Sequence, residues 1–216
     1  MQNNTLGWMD LLRIACRIVE NANVKDWTFG GGTALMTYYN HRRSKDVDIF
    51  ITDVQMITYL SPRLNDFSQG FTEEYSEQSN FLKLYFPDAE IDFIVAPHLT
   101  ENCFILKTLS EDLPKIKVET PEEICVKKLF YRAETLKIRD VFDVAAVIRD
   151  DEQRLLNHID VYRGRTDILA AQFALAKSRY HEEIEKLDIL DFDLKRDALE
   201  LFESFLRNCA SILPLS

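Results

Sequence analysis

Residues 30–50 read GGGTALMTYYNHRRSKDVDIF, and this stretch decides the fold that we predict for the chain. A short strand at residues 27–29 runs into the glycines, and residues 34–39 suit a helix. A basic loop at 41–45 then leads into residues 46–51, where alternating apolar side chains indicate a second strand. The stretch therefore predicts a strand, a glycine turn, a helix and another strand.

The glycine turn is a candidate ligand-binding element. Gly31, Gly32 and Thr33 stand between a strand and a helix, where glycine lets a ligand approach the backbone and a helix start offers N–H groups. The spacing matches neither a P-loop nor a dinucleotide fingerprint. Glycine-rich turns of this kind are also common packing solutions, so the turn alone leaves both interpretations open.

Two aspartates follow the turn inside an apolar strand. Asp46 and Asp48 are two residues apart, so both carboxylates point to the same face of the strand. Two like charges on one side of a core strand are costly unless a positive group neutralises them. Mg²⁺ is such a group and typically uses one or two carboxylates with substrate phosphate oxygens. The alternative is a solvated acidic face that pairs with Arg42 or Arg43.

A third acid, Asp92, lies in the apolar strand predicted at residues 91–96. If this strand pairs beside residues 46–51, Asp92 completes a carboxylate cluster suited to two metal ions, which would promote an in-line phosphoryl displacement. Glu90 shares the face of Asp92 and is the alternative third acid. Three strand acids beside a glycine turn are hard to explain as packing, and they favour a functional site.

The remaining pattern predicts an α+β fold: a small mixed β-sheet core flanked by helices, followed by a C-terminal helical bundle. Amphipathic spacing predicts a helix at residues 7–22. Thr120 followed by Pro121 predicts the start of a later helix. The boundary falls near residues 98–114, so we expect a first domain at 1–105 and a helical domain at 106–216. The further predicted helices are 54–66, 121–136, 140–149, 152–162, 167–186 and 194–211, and the further predicted strands are 71–78, 81–86 and 115–118.

Composition restricts the class of protein. The 216 residues include 36 acidic and 26 basic side chains, which give a formal charge of −10. No apolar run approaches the roughly 20 residues that cross a bilayer, so we expect a cytoplasmic protein without membrane contact. The net acidity argues against a general nucleic-acid-binding surface. However, 18 of the basic residues lie after residue 105, and the segment 123–139 is locally basic enough to bind phosphates.

Several blocks together resemble a known family. Gly31-Gly32-Thr33-Ala34-Leu35, then residues 43–50 and the Asp92 strand, are similar to the nucleotidyltransferase fold of the DNA polymerase β superfamily. The chain most resembles the AbiEii/AbiGii toxin family, with its block GG(S/T) followed by R-x-S-x-D-[IV]-D. The resemblance continues through the segment EICVKKL at residues 123–129 and the segment RDVFDV at residues 139–144. These blocks cover about residues 30–145 in the family's order.

The resemblance implies a role for each matched residue. It implies that residues 1–105 form the nucleotidyltransferase core, where Asp46, Asp48 and Asp92 bind Mg²⁺ and Asp92 helps to deprotonate the acceptor. Lys128 would neutralise phosphate charge, with Lys127 as the substitute that fits the family's spacing less well. The residues implied to bind the nucleotide are Gly31, Gly32, Thr33, Ser44, Lys128 and Asp143. Arg139 and Asp140 would line the same side, although an Arg-Asp-x-x-Asp helix also forms simple ion pairs.

The implied activity is Mg²⁺-dependent transfer of a nucleoside monophosphate from an NTP to an acceptor. For related toxins the implied acceptor is the 3′ end of tRNA, and a cognate antitoxin is an implied partner. Two alternatives remain at this point. The first is transfer to a small molecule such as an aminoglycoside, or to a protein. The second is nucleotide binding without turnover.

Overall fold

The computed structural model describes residues 6–212 and contains one seven-stranded mixed sheet with the order β3-β4-β5-β2-β1-β7-β6. The strands are β1 Trp27–Gly30, β2 Val47–Ile51, β3 Tyr75–Gln78, β4 Phe81–Phe86, β5 Ala89–Val95, β6 Phe104–Lys107 and β7 Ile116–Glu119. The helices are α1 Trp8–Asn21, α2 Gly31–Tyr39, α3 Met56–Leu60, α4 Asp66–Gln69, α5 Pro121–Tyr131, α6 Ile138–Asp151, α7 Gln153–Leu156, α8 Ile159–Tyr162, α9 Thr166–Lys177, α10 Tyr180–Ile184 and α11 Phe192–Ile212. The predicted α+β fold is confirmed.

The chain forms two compact units that interleave along the sequence. Within the described residues, the first unit comprises 6–34, 44–98 and 104–119, and the second comprises 35–43, 99–103 and 120–212. The first unit contains the whole sheet. Strands β6 and β7 follow residue 105 in large part, yet they belong to the first unit because β7 pairs in parallel with β1. The predicted division at residue 105 therefore differs from these units at residues 35–43, 99–103 and 106–119.

The core of the first unit lies between helix α1 and one face of the sheet. Helix α1 packs on β2 and β5 through an apolar stripe that includes Leu11, Leu12 and Ile18. The alternating residues of β2 leave Val47 and Ile49 without solvent exposure, while Asp48 between them is half-buried. The same alternation applies to β5, so the acids of both strands face away from this apolar core.

The second unit is helical. Its core includes Phe142 and Ala145 of α6 together with Leu194 and Ala198 of α11. Thr120 caps α5 as predicted, since its hydroxyl accepts a hydrogen bond from the backbone N–H of Glu123 and Pro121 occupies the first turn. No helix within residues 6–212 combines the length and the apolar character that a membrane crossing requires.

Some predicted element boundaries are wrong. The helix expected at 54–66 is two short helices, α3 and α4, because Pro62 favours an extended conformation at the preceding Ser61, whose φ and ψ are −68° and 133°. The helix expected at 167–186 breaks after Lys177, and the one at 152–162 breaks after Leu156. Strand β6 was not predicted, since its four residues lack an alternating pattern.

Candidate active site

A row of directly opposed residues crosses four adjacent strands of the first unit. In the parallel pair β2–β5, Asp48 stands directly opposite Asp92. In the antiparallel pair β4–β5, Lys83 stands opposite Asp92, and in the pair β1–β2, Gly30 stands opposite Asp48. Directly opposed residues point to the same face of a sheet, and neighbouring strands lie about 4.8 Å apart. The Asp92 strand therefore pairs beside the strand of Asp48, which meets the condition under which Asp92 joins the acidic residues.

The glycine turn borders this row. Gly31 has a φ of +71°, a conformation that residues with a Cβ adopt only with strain. A Cβ at Gly31 would also collide with the carboxylate of Asp48. The backbone of the turn therefore approaches Asp48 as closely as it does only because residue 31 is glycine, and the turn directly continues into helix α2.

Asp46 and Glu90 extend the acidic surface, since they precede Asp48 and Asp92 by two residues each. The backbone N–H of Glu90 donates to Oδ1 of Asp46 at 3.2 Å. The hydroxyl of Thr33, a fully buried side chain, donates to the backbone carbonyl of Asp46. Ser44 lies half-buried in the segment that leads into β2. The Thr33 hydroxyl thus ties the glycine turn to the start of the acidic strand.

Lys83 is the cation of this acidic group. Its ammonium lies 3.1 Å from Oδ2 of Asp92 and forms an ion pair with Glu90. Although burial alone would lower the pKa of Lys83, the pairing with Glu90 and Asp92 holds that pKa above its ordinary value. Lysine at this position therefore remains charged at neutral pH.

The carboxyl group of Asp92 has a shifted pKa. Burial, followed by the negative charge of Asp48, raises the pKa of Asp92 to about 6, while Lys83 acts in the opposite direction. Its Oδ2 is paired with Lys83, but its buried Oδ1 has no hydrogen-bond partner within residues 6–212. A carboxylate oxygen that is buried and unpartnered beside a second carboxylate fits a divalent cation, which prefers oxygen ligands of this kind.

The residues predicted on α5 and α6 meet inside the second unit. The ammonium of Lys128 lies 2.8 Å from Oδ1 of Asp140 and 3.0 Å from Oδ2 of Asp143. Asp143 also accepts two hydrogen bonds from Arg42, at 2.7 and 2.8 Å, and Nε2 of His41 lies 2.8 Å from its Oδ1. Lys128 and Arg42 are each 6% exposed, and both aspartates are fully buried.

Charge pairing keeps this buried network ionised. Burial opposes the charged form of Asp143, but Arg42 and Lys128 hold its pKa well below the usual range. Lys128 is likewise buried, yet Asp140 and Asp143 keep its pKa above the ordinary value. Lys128 and Asp143, which the family resemblance assigns to nucleotide binding, therefore bind each other in this structure.

The basic segment 123–139 is largely neutralised by its own acids. Lys127 lies 3.2 Å from Glu123, and Arg132 lies 2.9 Å from Asp140. Lys137 is exposed and Arg139 is half-buried. The segment consequently offers less free positive charge to a phosphate chain than its composition suggests.

Two contacts of the candidate residues were not predicted from the sequence: that of Lys83 with Asp92 and that of Arg42 with Asp143. Lys83 had a usable signal: strands β4 and β5 are joined by the two-residue turn Pro87–Asp88, and counting back from that turn places Lys83 opposite Asp92. For Asp143, the partner Arg42 lies 101 residues away in sequence, so no local pattern connects the two.

A glycine turn at a helix start, with acids on adjacent strands of a mixed sheet, is the arrangement that the sequence resemblance implies for a nucleotidyltransferase. The chain matches the family described as "Nucleotidyl transferase AbiEii toxin, Type IV TA system" over residues 13–215. It belongs to this AbiEii family of nucleotidyltransferase toxins, as the sequence blocks predicted. Among curated proteins, none matches the chain.

Solved structures share the fold at low sequence identity. The nucleotidyltransferase toxin MenT4 from Mycobacterium tuberculosis has a TM-score of 0.61 at 16% identity, with 93% of this chain and 83% of MenT4 covered. A protein described as a putative nucleotidyltransferase from H. pylori has a TM-score of 0.51 at 14% identity, over 96% of this chain and 98% of its own. JHP933 from Helicobacter pylori gives 0.51 at 16% identity, over 94% of each chain.

Proposed function

We propose that this nucleotidyltransferase transfers a nucleoside monophosphate from an NTP to the 3′ end of tRNA, in a reaction that requires Mg²⁺. The observation that carries the proposal is the register of the two acidic strands, in which Asp48 faces Asp92 beside the tight turn at Gly31. The family description, that of a toxin of a type IV toxin–antitoxin system, supports a cognate antitoxin as a partner, and tRNA as the acceptor is what the resemblance implies.

The residues fit a divalent cation. Asp46, Asp48 and Asp92 would hold Mg²⁺, which when bound supplies charge neutralisation to the phosphates and lowers the pKa of an attacking hydroxyl. The buried, unpartnered Oδ1 of Asp92 supports a bound cation, and the absence of a Cβ at Gly31 leaves room for the carboxylate of Asp48 beside the turn. The remaining work of the protein is positioning, which accounts for a large share of catalysis in phosphoryl transfer.

The proposed reaction gives a role to the glycine turn, to Asp92 and to the buried ion pairs of the second unit. The turn at Gly31 and Gly32 would present backbone N–H groups to the triphosphate at the start of α2. Asp92 would help to bind the cation and would accept the acceptor's proton, as the resemblance implies. Asp143 would act by holding both Arg42 and Lys128 in place, since it pairs with both within the second unit.

An acceptor screen tests the proposal. The full-length protein is incubated with each of the four α-³²P-labelled NTPs, MgCl₂ and one acceptor at a time: total tRNA, an aminoglycoside, or a protein mixture. Label on tRNA with the wild type and none with Asp48→Asn would support the proposal. Label on the aminoglycoside or on protein instead would assign a different acceptor. NTP-induced thermal stabilisation without any labelled product would indicate a nucleotide-binding protein without turnover.

A further inference from the structure

Lys83 introduces a permanent positive charge among the acids that are expected to bind a cation. Its ammonium contacts both Glu90 and Asp92, and its side chain is 25% exposed. The contact uses Oδ2 of Asp92 and leaves Oδ1 of the same carboxylate buried without a partner within the described residues. One oxygen of Asp92 is therefore already neutralised, and the other is available.

We propose that Lys83 is a built-in counter-charge of this site, one that weakens the binding of a free divalent cation. The inference rests on the proposed function, because it concerns the same carboxylates. Lys83 pairs with both Glu90 and Asp92, so without Lys83 these two carboxylates would lose that compensating charge and attract a divalent ion more strongly. With Lys83 present, a cation that arrives alone is repelled by the ammonium beside Asp92.

The consequence is a preference for a cation that arrives with its nucleotide. The phosphates of an NTP supply oxygen ligands and negative charge of their own, which offset the repulsion by Lys83. The site would thus stay largely metal-free until a metal–nucleotide complex binds. Lys83 contributes this selectivity through its charge, so arginine at position 83 should preserve it and neutral residues should remove it.

The size of the effect follows from the charges. An ammonium and a divalent cation about 6 Å apart repel each other, under full water-like screening, by an amount equivalent to about a tenfold change in Kd. Lys83→Met and Lys83→Gln should therefore bind Mn²⁺ about tenfold more tightly than the wild type, because the carboxylates lose their internal competitor. Lys83→Arg should bind like the wild type.

Calorimetric titration of MnCl₂ into the full-length, nucleotide-free protein tests the proposal, with thermal melts to verify that each variant is folded. Lys117→Met is the matched control, since Lys117 on β7 forms a similar ion pair, 3.0 Å from Asp26, elsewhere on the sheet. Tighter binding in both neutral Lys83 variants, with no change in Lys117→Met, would support the proposal. Equal or weaker binding in the neutral Lys83 variants would overturn it.

A separate outcome distinguishes this inference from the proposed function. If wild type binds Mn²⁺ and Asp48→Asn does not, the carboxylate site is established whatever Lys83 does. If neither wild type nor any Lys83 variant binds Mn²⁺, the metal site itself is wrong, and the role of Lys83 fails with it.

Discussion

Replacing Asp143 by asparagine should strongly destabilise the second unit. The side chain is fully buried and is the shared partner of Arg42 and Lys128, each only 6% exposed. Asparagine has nearly the same shape but no charge, so two buried cations would lose their common counter-ion. Breaking a buried ion pair by removing one partner costs about 3–5 kcal/mol. A domain of ordinary stability has about 5–15 kcal/mol in total, so this is a large part of it.

Urea denaturation followed by far-UV circular dichroism at pH 7 measures this loss. Asp188→Asn is the matched control, because Asp188 pairs with Arg43 at 3.3 Å but both side chains are more than half exposed. An exposed pair contributes about 0–1 kcal/mol, so the control should remain close to the wild type.

A double-mutant cycle then isolates the pair itself. Asp143→Asn and Lys128→Met should couple by about 1 kcal/mol or more, since their charges are in direct contact. If Asp143→Asn loses no more stability than Asp188→Asn, the buried network does not hold the second unit together and the reasoning is refuted.

Two further predictions concern the glycine turn and low pH. Gly31→Ala should lose about 1–2 kcal/mol of stability, because residue 31 has a positive φ. It should also lose at least about tenfold in transfer rate, because a Cβ at this position displaces Asp48. Gly164→Ala is the control and should change neither quantity, since a Cβ at residue 164 meets open space. The pKa of Asp143 is depressed in the folded state, so its stabilisation is complete above the ordinary value of 3.8 and is lost as pH falls towards the folded pKa. The difference in unfolding free energy between wild type and Asp143→Asn should therefore stay constant from pH 7 to about 5 and shrink as the pH falls below about 4. A difference that stays constant below about pH 4 would contradict the depressed pKa of Asp143. Full activity of Gly31→Ala would contradict the prediction for the glycine turn.

Local patterns were sufficient to predict the acidic site. The two-residue period of β2 placed Asp46 and Asp48 on one face, and the apolar pattern around Asp92 predicted a strand, which in the structure pairs beside them. A turn at Gly31 was indicated by glycine between a strand and a helix, although its positive φ was not predicted. The strands, the shared face and the turn are determined by residues close in sequence, and for that reason the sequence alone predicts them.

Features that depend on distant pairing were not predicted. Lys83 acquires its role only through the register of a neighbouring strand, and Arg42 reaches Asp143 across 101 residues of chain. The segment with Lys127 and Lys128 looked like a free basic surface, because a sequence count does not show that Glu123 and Asp140 neutralise it. Ion pairing of this kind is a property of tertiary structure.

The most direct test of the central claim is the rate at which label moves from an α-³²P-labelled NTP to tRNA, compared between the wild type and Asp48→Asn. The substitution keeps the shape of the side chain and removes the charge that faces Asp92. We expect transfer by the wild type, its loss when EDTA removes the metal, and a decrease of at least about a hundredfold in the variant, as for other groups that stabilise charge in a transition state. Equal transfer by wild type and variant, or transfer that persists in EDTA, would contradict the account.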